Sequence, residues 1–201
     1  MIKNYIFDFG QVLVRFNPCF MTSVYIENKK DCDLAKEVIF DRLYWDKLDA
    51  GTITDNEVLD GIFSRLPEYL HNDAKKVYLN WYYNLPLIDG MTELLTEIKS
   101  KGAKLYLLSN ISIGFADNYK NVPELKAVLD LFDGLVFSGK IGLTKPNKEI
   151  FEHLIVKYNL KAEECVFIDD SPVNINGAEN AGIKACLFNG DAKELRKNLF
   201  G

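Results

Sequence analysis

Polar side chains end three apolar runs of the sequence, and a lysine precedes a proline in a fourth stretch. These polar residues are Asp8, Ser109, Asn110, Lys145, Asp169 and Asp170. A charged side chain at the end of a buried strand lowers stability unless it is paired or bound to something. Each residue alone has an ordinary structural explanation, such as capping a turn or facing solvent. As a set, they indicate a shared site.

The residue types in this set suit phosphoryl transfer. Three carboxylates that converge repel one another, and a hard divalent cation relieves that repulsion. Mg²⁺ prefers oxygen ligands and keeps some waters, so one or two carboxylates, a backbone carbonyl and a substrate oxygen satisfy it. A carboxylate beside such a cation can attack phosphorus and form an aspartyl-phosphate. A serine hydroxyl and a lysine ammonium then stabilise the charge on the transferred group.

Five short apolar runs predict the strands that position these residues. They are "NYIFDFG", "AKLYLLSN", "DGLVFSG", "CVFIDDS" and "IKACLFNG". None alternates between polar and apolar residues, which favours a parallel sheet covered on both faces. Helical patterns separate the later runs, so the sequence predicts an α/β fold with an open, doubly wound (Rossmann-like) sheet. Functional groups gather at the carboxyl ends of strands in such sheets.

Two helices are predicted between these strands. The stretch "DGMTELLTEIKSKG" has an apolar face, with Asp89 as the predicted N-cap and Gly102 as the predicted stop. The stretch "PNKEIFEHLIVKYNL" has a similar face and Asn147 as its predicted N-cap.

The alternation of strand and helix fails between the first and second strands. Residues 17–85 contain helical patterns only, one of which opens with a capping box of Thr54 and Glu57. We therefore predict a helical domain at 17–85, inserted into a Rossmann-like core made of residues 1–16 and 86–201.

Aromatic residues are frequent in the insert. They include Tyr44, Trp45, Trp81, Tyr82 and Tyr83. We expect them to form the core of the insert, with contact to a sugar as the alternative. Arg15 and Asn17 lie where the chain leaves the sheet, and gating or substrate contact and a solvated loop are equally good interpretations of them.

Composition limits the possible partners. The 201 residues are 48% hydrophobic and 26% charged, as in an ordinary globular protein. A net charge of −5 and a pI near 5.2 provide no basic surface for nucleic acid or an anionic membrane. No run is long enough to span a bilayer or to serve as a signal peptide, and we expect a cytoplasmic protein. Nothing in the sequence points to a particular oligomeric state.

Four motifs, in order, resemble those of the haloacid dehalogenase (HAD) superfamily. They are "FDFGQVLV", "LLSN", "TKPNKEIF" and "FIDDSPVNINGAENAG". The resemblance spans the whole chain and is to the subclass with a helical cap inserted after the first motif. Within the superfamily, the chain most resembles phosphatases that act on small phosphorylated sugars, including an α-glucose-1-phosphate phosphatase.

The resemblance implies a Mg²⁺ site. In it, Asp8 is the nucleophile and the first metal ligand, and the backbone carbonyl of Gly10 is the second. Asp170 is the main acidic ligand of the fourth motif, and Asp169 supports the metal through water. Asn174 stands where many relatives have a further acid and is a weaker candidate for the outer shell.

The resemblance also implies the phosphate-binding residues. Ser109 and Lys145 contact the phosphate of a small phosphorylated metabolite, and Asn110 is a candidate for orienting it. The expected activity is a phosphoric monoester hydrolysis that passes through an aspartyl-phosphate.

One position departs from the family pattern. Most phosphatases of the superfamily have a second aspartate two residues after the nucleophile, where this chain has Gly10. Acid–base help of that kind contributes about 10²–10⁴ in rate. Three interpretations stay open: a phosphatase whose substrate has a good leaving group, a protein that binds phosphate but hardly hydrolyses it, and a dehalogenase. The intact pair Asp169 and Asp170 argues against the dehalogenase.

Overall fold

The structure, a computed structural model, describes residues 2–201 and has one parallel sheet. Its strands are β1 (Asn4–Phe7), β2 (Lys104–Ser109), β3 (Gly134–Phe137), β4 (Cys165–Asp169) and β5 (Lys184–Leu187). Their order across the sheet is β3-β2-β1-β4-β5, and every neighbouring pair is parallel. Each strand lies in one of the five predicted runs, and the predicted doubly wound α/β fold is confirmed.

Helices connect the strands. Those between β1 and β2 are α1 (Pro18–Ser23), α2 (Lys29–Ile39), α3 (Arg42–Asp49), α4 (Asp55–Arg65), α5 (His71–Asn80) and α6 (Met91–Ser100). The later ones are α7 (Ile113–Asn118), α8 (Pro123–Leu129), α9 (Ser138–Ile141), α10 (Lys148–Lys157), α11 (Pro172–Asn180) and α12 (Ala192–Phe200). Short 3₁₀ turns occupy Glu68–Leu70, Trp81–Asn84, Tyr119–Asn121 and Ala162–Glu164. No helix within residues 2–201 is long and apolar enough to cross a membrane.

Successive strand side chains point to opposite sides of the sheet. Since apolar side chains lie on both sides, helices cover both faces. On β1, Phe7 belongs to a hydrophobic cluster that includes α6 and α12. Its neighbour Ile6 belongs to the cluster on the other face, which includes α10 and α11. Both side chains are fully buried, so the sheet is the middle layer of the core.

The helices between β1 and α6 have a hydrophobic cluster of their own. It combines buried residues of α2, α3, α4 and α5, among them Val38, Tyr44, Ile62 and Val77. The predicted capping box is present at the start of α4, where Thr54 and Glu57 bond reciprocally. A separate core of this kind is what a cap domain needs to keep its shape.

The chain enters and leaves this helical segment at one place. The backbone N–H of Arg15 donates to the carbonyl of Pro86 at 2.9 Å, and the N–H of Ile88 donates to the carbonyl of Leu13 at 2.9 Å. Asn17 accepts a hydrogen bond from the N–H of Phe20 and caps α1. On this basis we propose residues 17–85 as the cap and residues 1–16 and 86–201 as the catalytic core.

Predicted helix caps had different outcomes. Asp89 as the cap of α6 is wrong, because Gly90 occupies the N-cap position with φ +79°, a left-handed conformation outside the extended region that side-chain caps use. Gly102 follows the end of α6 with φ +80°, as expected of a stop. Asn147 occupies the predicted N-cap position of α10, but its side chain makes no capping hydrogen bond.

Candidate active site

Neighbouring strands bring the predicted acids together. The paired residues Phe7 of β1 and Ile168 of β4 lie side by side, so Asp8 and Asp169, one position further, meet at the same edge of the sheet. Ser109 ends β2, the strand on the other side of β1. After β1 the chain builds β2 and β3 to one side and then β4 and β5 to the other. Such a reversal opens a crevice at the carboxyl ends of the strands.

Lys145 joins the two acids. Its Nζ lies 2.7 Å from Oδ1 of Asp8 and 2.7 Å from Oδ2 of Asp169. Burial alone would lower the pKa of Lys145, but the two carboxylates outweigh it and raise that pKa. The ammonium is therefore held in its charged form between two acids, out of contact with solvent.

Asp169 is saturated with protein donors. Its oxygens accept hydrogen bonds from Lys145, from the backbone N–H of Ser171 at 2.8 Å and from Nδ2 of Asn174 at 3.0 and 3.1 Å. The side chain is fully buried. Asn174, which the sequence offered as an outer-shell candidate, thus contacts Asp169 directly. The predicted role of Asp169 through a water stays a prediction.

The acidic cluster fits a hard divalent cation. Asp8, Asp169 and Asp170 each offer one oxygen, and these atoms lie within 4.8 Å of one another. Burial raises the pKa of Asp8 to about 6, against the opposing effect of Lys145. Burial and then the charge of Asp169 raise the pKa of Asp170. One ammonium does not neutralise three acids, and a cation with oxygen ligands would relieve the excess. Since Asp169 is already occupied, Asp8 and Asp170 are the carboxylates best placed to ligate it.

Asn110 positions the lysine. Its Nδ2 donates to the carbonyl of Lys145 at 2.9 Å, and its Oδ1 accepts from the backbone N–H of Lys145 at 2.8 Å. This paired contact fixes the backbone of Lys145 to the end of β2. The sequence predicted a role in orienting phosphate, and direct contact of Asn110 with phosphate stays a prediction.

A cavity of about 280 Å³ adjoins these residues, between the core and the helical segment. Its wall on the core side includes Gly10, Ser109, Asn110 and Ile111. Its wall on the helical side includes Phe40, Arg42, Trp45, Asp46, Asp49 and Trp81. The pocket therefore places the strand ends opposite Phe40, which follows α2, and opposite side chains of α3 and of the turn after α5.

The aromatic residues of the insert take different places. Tyr44 is buried in the cluster of the helical segment, as expected. Trp45 and Trp81 line the cavity, with their rings edge to face at 5.2 Å. Tyr82 packs against the main core cluster, and Tyr83 is 48% exposed. The expectation of an internal core therefore holds for Tyr44, whereas the two tryptophans face the pocket. Arg15 and Asn17 are exposed and are not among the cavity-lining residues.

Asp49, the last residue of α3, is a site residue that the sequence motifs do not indicate. It lines the cavity, and burial, followed by the charges of Asp46 and Asp8, raises its pKa to about 7. No motif marks Asp49, because its place beside the strand ends depends on how the helical segment packs on the core. Asp49 is also far from Asp8 along the chain, so sequence spacing does not connect the two residues.

Comparison with known proteins identifies the family. A model of the haloacid dehalogenase-like hydrolase family matches residues 2–182, so the chain belongs to that family. A sesquiterpene phosphatase from Aspergillus oryzae is 28% identical over 184 residues, covering 90% of this chain and 87% of the relative. A D-ribitol-5-phosphate phosphatase from Bacteroides thetaiotaomicron is 27% identical over 194 residues, covering 92% and 90%.

A solved structure extends the comparison to the metal. A HAD family enzyme from Bacteroides thetaiotaomicron, solved as a magnesium complex, is 25% identical with a TM-score of 0.72, covering 96% of this chain and 98% of that one. The resemblance derived from the motifs is thus confirmed for the family, and the enzyme class is that of a phosphatase hydrolase. The acidic cluster and the magnesium-bound relative support Mg²⁺ as the cofactor.

Proposed function

We propose that this protein is a Mg²⁺-dependent phosphatase that hydrolyses a small phosphorylated metabolite through an aspartyl-phosphate on Asp8. The observation that carries the proposal is the arrangement of Asp8, Lys145 and Asp169, with Asp170 beside them. A buried carboxylate next to an ammonium and a cation site has what in-line attack on phosphorus requires. The cytoplasmic location predicted from the sequence is part of this proposal.

In the proposed reaction, Asp8 attacks the phosphorus atom. The hydroxyl of Ser109 and the ammonium of Lys145 contact the phosphate oxygens and stabilise the charge that develops on them. Asp8, Asp170 and the backbone carbonyl of Gly10 would hold Mg²⁺, with Asp169 acting through water, and the bound cation would offset the negative charge of the phosphate. Asn110 holds Lys145 in place for this contact.

The proposed substrate is a sugar phosphate. The cavity is at the small end of the range for ligand pockets, which suits a metabolite of that size. Trp45 offers aromatic surface for the apolar face of a sugar ring, and Arg42 lies on the same wall as a partner for hydroxyls. The relative that acts on D-ribitol 5-phosphate gives further support.

An apolar phosphate ester is a second candidate. The indole N–H of Trp45 donates to the carbonyl of Ile39 at 2.7 Å, so this side chain has no free donor for a sugar hydroxyl. Phe16 and Phe40 extend the aromatic wall beside it. The relative named a sesquiterpene phosphatase supports this alternative.

Phosphate release with Mg²⁺ and with EDTA tests the proposal. The panel holds hexose 1-phosphates, a pentitol 5-phosphate, a prenyl monophosphate and an activated aryl phosphate. Mg²⁺-dependent turnover of the sugar or pentitol esters supports the first substrate class, and preference for the prenyl ester supports the second. If no ester is hydrolysed while phosphate still binds, the protein is a phosphate-binding member of the family and the proposed activity is wrong.

A further inference from the structure

Gly10 stands at the position of the usual acid, and the space that a side chain would fill there is open. An ideal Cβ built on Gly10 would meet no atom within 4 Å, apart from its chain neighbours. The cavity reaches Gly10, so solvent or a substrate atom can occupy this space. A proton donor for the leaving oxygen therefore has to come from another wall of the cavity, or the substrate has to leave without one.

Asp49 is a carboxylate on that other wall, whose second carboxylate, Asp46, is paired with Arg42 at 2.8 Å. It lines the same cavity as Gly10 and Ser109. Among residues 2–201, none donates a hydrogen bond to its carboxylate. The side chain is thus free of the ties that occupy Asp169, and it is available to a bound substrate.

Contacts with the core hold Asp49 in this place. The hydroxyl of Ser138 donates to the backbone carbonyl of Asp49 at 2.5 Å and accepts from the N–H of Ile111 at 2.9 Å. Two glycines permit the close approach: a Cβ on Gly51 would come within 2.4 Å of the carbonyl oxygen of Gly139. The end of α3 is therefore fixed to the same loop that follows Ser109.

We propose that Asp49 is the general acid and base of this active site, acting on the leaving oxygen from the cap side in place of a residue at position 10. The assignment rests on the proposed phosphatase function and adds a catalytic residue to it. It makes the cap part of the reaction as well as part of the binding pocket.

The carboxyl group of Asp49 gives a proton in the first half-reaction and takes one in the second. Asp8 forms a bond to phosphorus, the bond from phosphorus to the ester oxygen breaks, and that oxygen takes the proton of Asp49 and leaves as an alcohol. Asp49, now a carboxylate, then takes a proton from water as the water oxygen attacks phosphorus. The bond from Asp8 to phosphorus breaks with its electron pair returning to Asp8, and inorganic phosphate leaves.

The electrostatics of Asp49 agree with this role. Its surroundings contain Asp46 and Arg42 from α3, Asp8 from the end of β1, and Lys145. Burial and the two acids outweigh the two cations and raise the pKa of Asp49 to about 7. A group with that pKa is both acid and base near neutral pH, which is the efficient range for proton transfer.

Comparing leaving groups in Asp49→Asn tests the assignment. For an alkyl ester such as a pentitol 5-phosphate, kcat should fall by about 10²–10⁴ because the alkoxide leaves unprotonated. For an activated aryl phosphate, which leaves without a proton, formation of the aspartyl-phosphate should be nearly unchanged in the pre-steady-state burst. A purely structural effect would lower both. Asp60→Asn, an exposed variant on α4 away from the cavity, should keep the wild-type ratio between the two substrates.

Restoring the usual residue is the second test. Because the space at Gly10 is open, Gly10→Asp in the Asp49→Asn background should recover at least about tenfold in kcat on the alkyl ester. The wild-type pH profile gives a readout that needs no variant: kcat/KM on the alkyl ester should fall as pH rises through about 7, and on the aryl ester it should not.

The outcomes distinguish a failure of the Asp49 assignment from a failure of the proposed phosphatase function. If the wild type hydrolyses no phosphate ester with Mg²⁺, the proposed function fails and the assignment fails with it. If the wild type is active and Asp49→Asn keeps its rate on the alkyl ester, the phosphatase stands and Asp49 is not its acid. If the control Asp60→Asn reproduces the loss, the effect is a general consequence of substitution in the cap and the assignment is likewise wrong.

Discussion

The core side and the cap side of the site differ in how their acids are held. On the core side, Asp8 and Asp169 share the ammonium of Lys145, and Asn174 and the backbone satisfy the rest of Asp169. On the cap side, burial and the charges of Asp46 and Asp8 act against the charged form of Asp49 and outweigh the opposing cations. From this difference we infer that the core binds the phosphoryl group and that the cap acts on the leaving group.

The largest effect expected on the core side is on turnover. Asp8→Asn should lower phosphate release by about 10⁴-fold or more, because an amide does not replace the carboxylate as nucleophile. Its thermal unfolding should stay cooperative, since Lys145 keeps its bond to Asp169. Unchanged activity in this variant would remove the proposed mechanism.

Breaking the buried network should be the largest change in stability. Lys145→Met leaves Asp8 and Asp169 buried without a cation, and the free energy of unfolding in EDTA should fall by about 3–5 kcal/mol. Lys148→Met is the matched control, because Lys148 pairs with Glu152 at the surface, where solvent screens the pair, and its loss should lower stability far less. Urea unfolding of both variants measures the difference. Equal losses would mean that the buried network is no stronger than a surface pair.

Metal binding should stabilise the fold through the same acids. At a Mg²⁺ concentration 100 times its dissociation constant, the wild type should gain about 2.7 kcal/mol in unfolding free energy. Asp170→Asn should lose most of this gain, because Asp170 is the exposed carboxylate of the cluster with oxygens free to ligate. Asp60→Asn, an exposed cap variant away from the cavity, is the control for a general salt effect. A full gain in Asp170→Asn would place the metal elsewhere.

The pH dependence of stability tests the cap side. Burial raises the pKa of Asp49 in the folded protein from 3.8 to about 7, so the folded state binds this proton more tightly than the unfolded chain. The resulting contribution to stability is complete below about pH 4 and is lost as pH rises to about 7. The unfolding free energy of Asp49→Asn should therefore improve relative to wild type across that window and stay level above it.

Urea titrations at several pH values measure this difference, with Asp60→Asn as the baseline. A difference that does not change with pH would mean that Asp49 is solvated rather than buried in the cavity wall.

The difference between the core side and the cap side also explains which site residues the sequence could predict. The apolar runs gave all five strands, and Asp8 and Asp169 follow from them, because the carboxyl ends of parallel strands share one edge. Lys145 lies in a loop, and it was the motif before α10 that indicated its place in the site, where it contacts both acids. These residues are predictable because local pattern and sheet geometry together fix their places.

The rest depends on packing between distant segments. The role of Asn110 as a brace for Lys145 requires two loops 35 residues apart to meet. The approach of Asp49 requires Gly51, in the turn after α3, to lie against Gly139 of α9. Whether Trp45 faces the cap interior or the cavity is decided by the same docking, because helical spacing marks a buried face without saying what covers it. The sequence pattern contains none of this information directly.

Trapping the covalent intermediate tests the central claim most directly. Wild-type protein with Mg²⁺ and the preferred ester would be quenched in acid during the first turnover, digested, and searched for phosphorylated peptides by mass spectrometry. We predict a phosphoryl group on the peptide that contains Asp8, and none in Asp8→Asn. Steady phosphate release with no phosphorylation of Asp8, or with the phosphoryl group on another residue, would contradict the account.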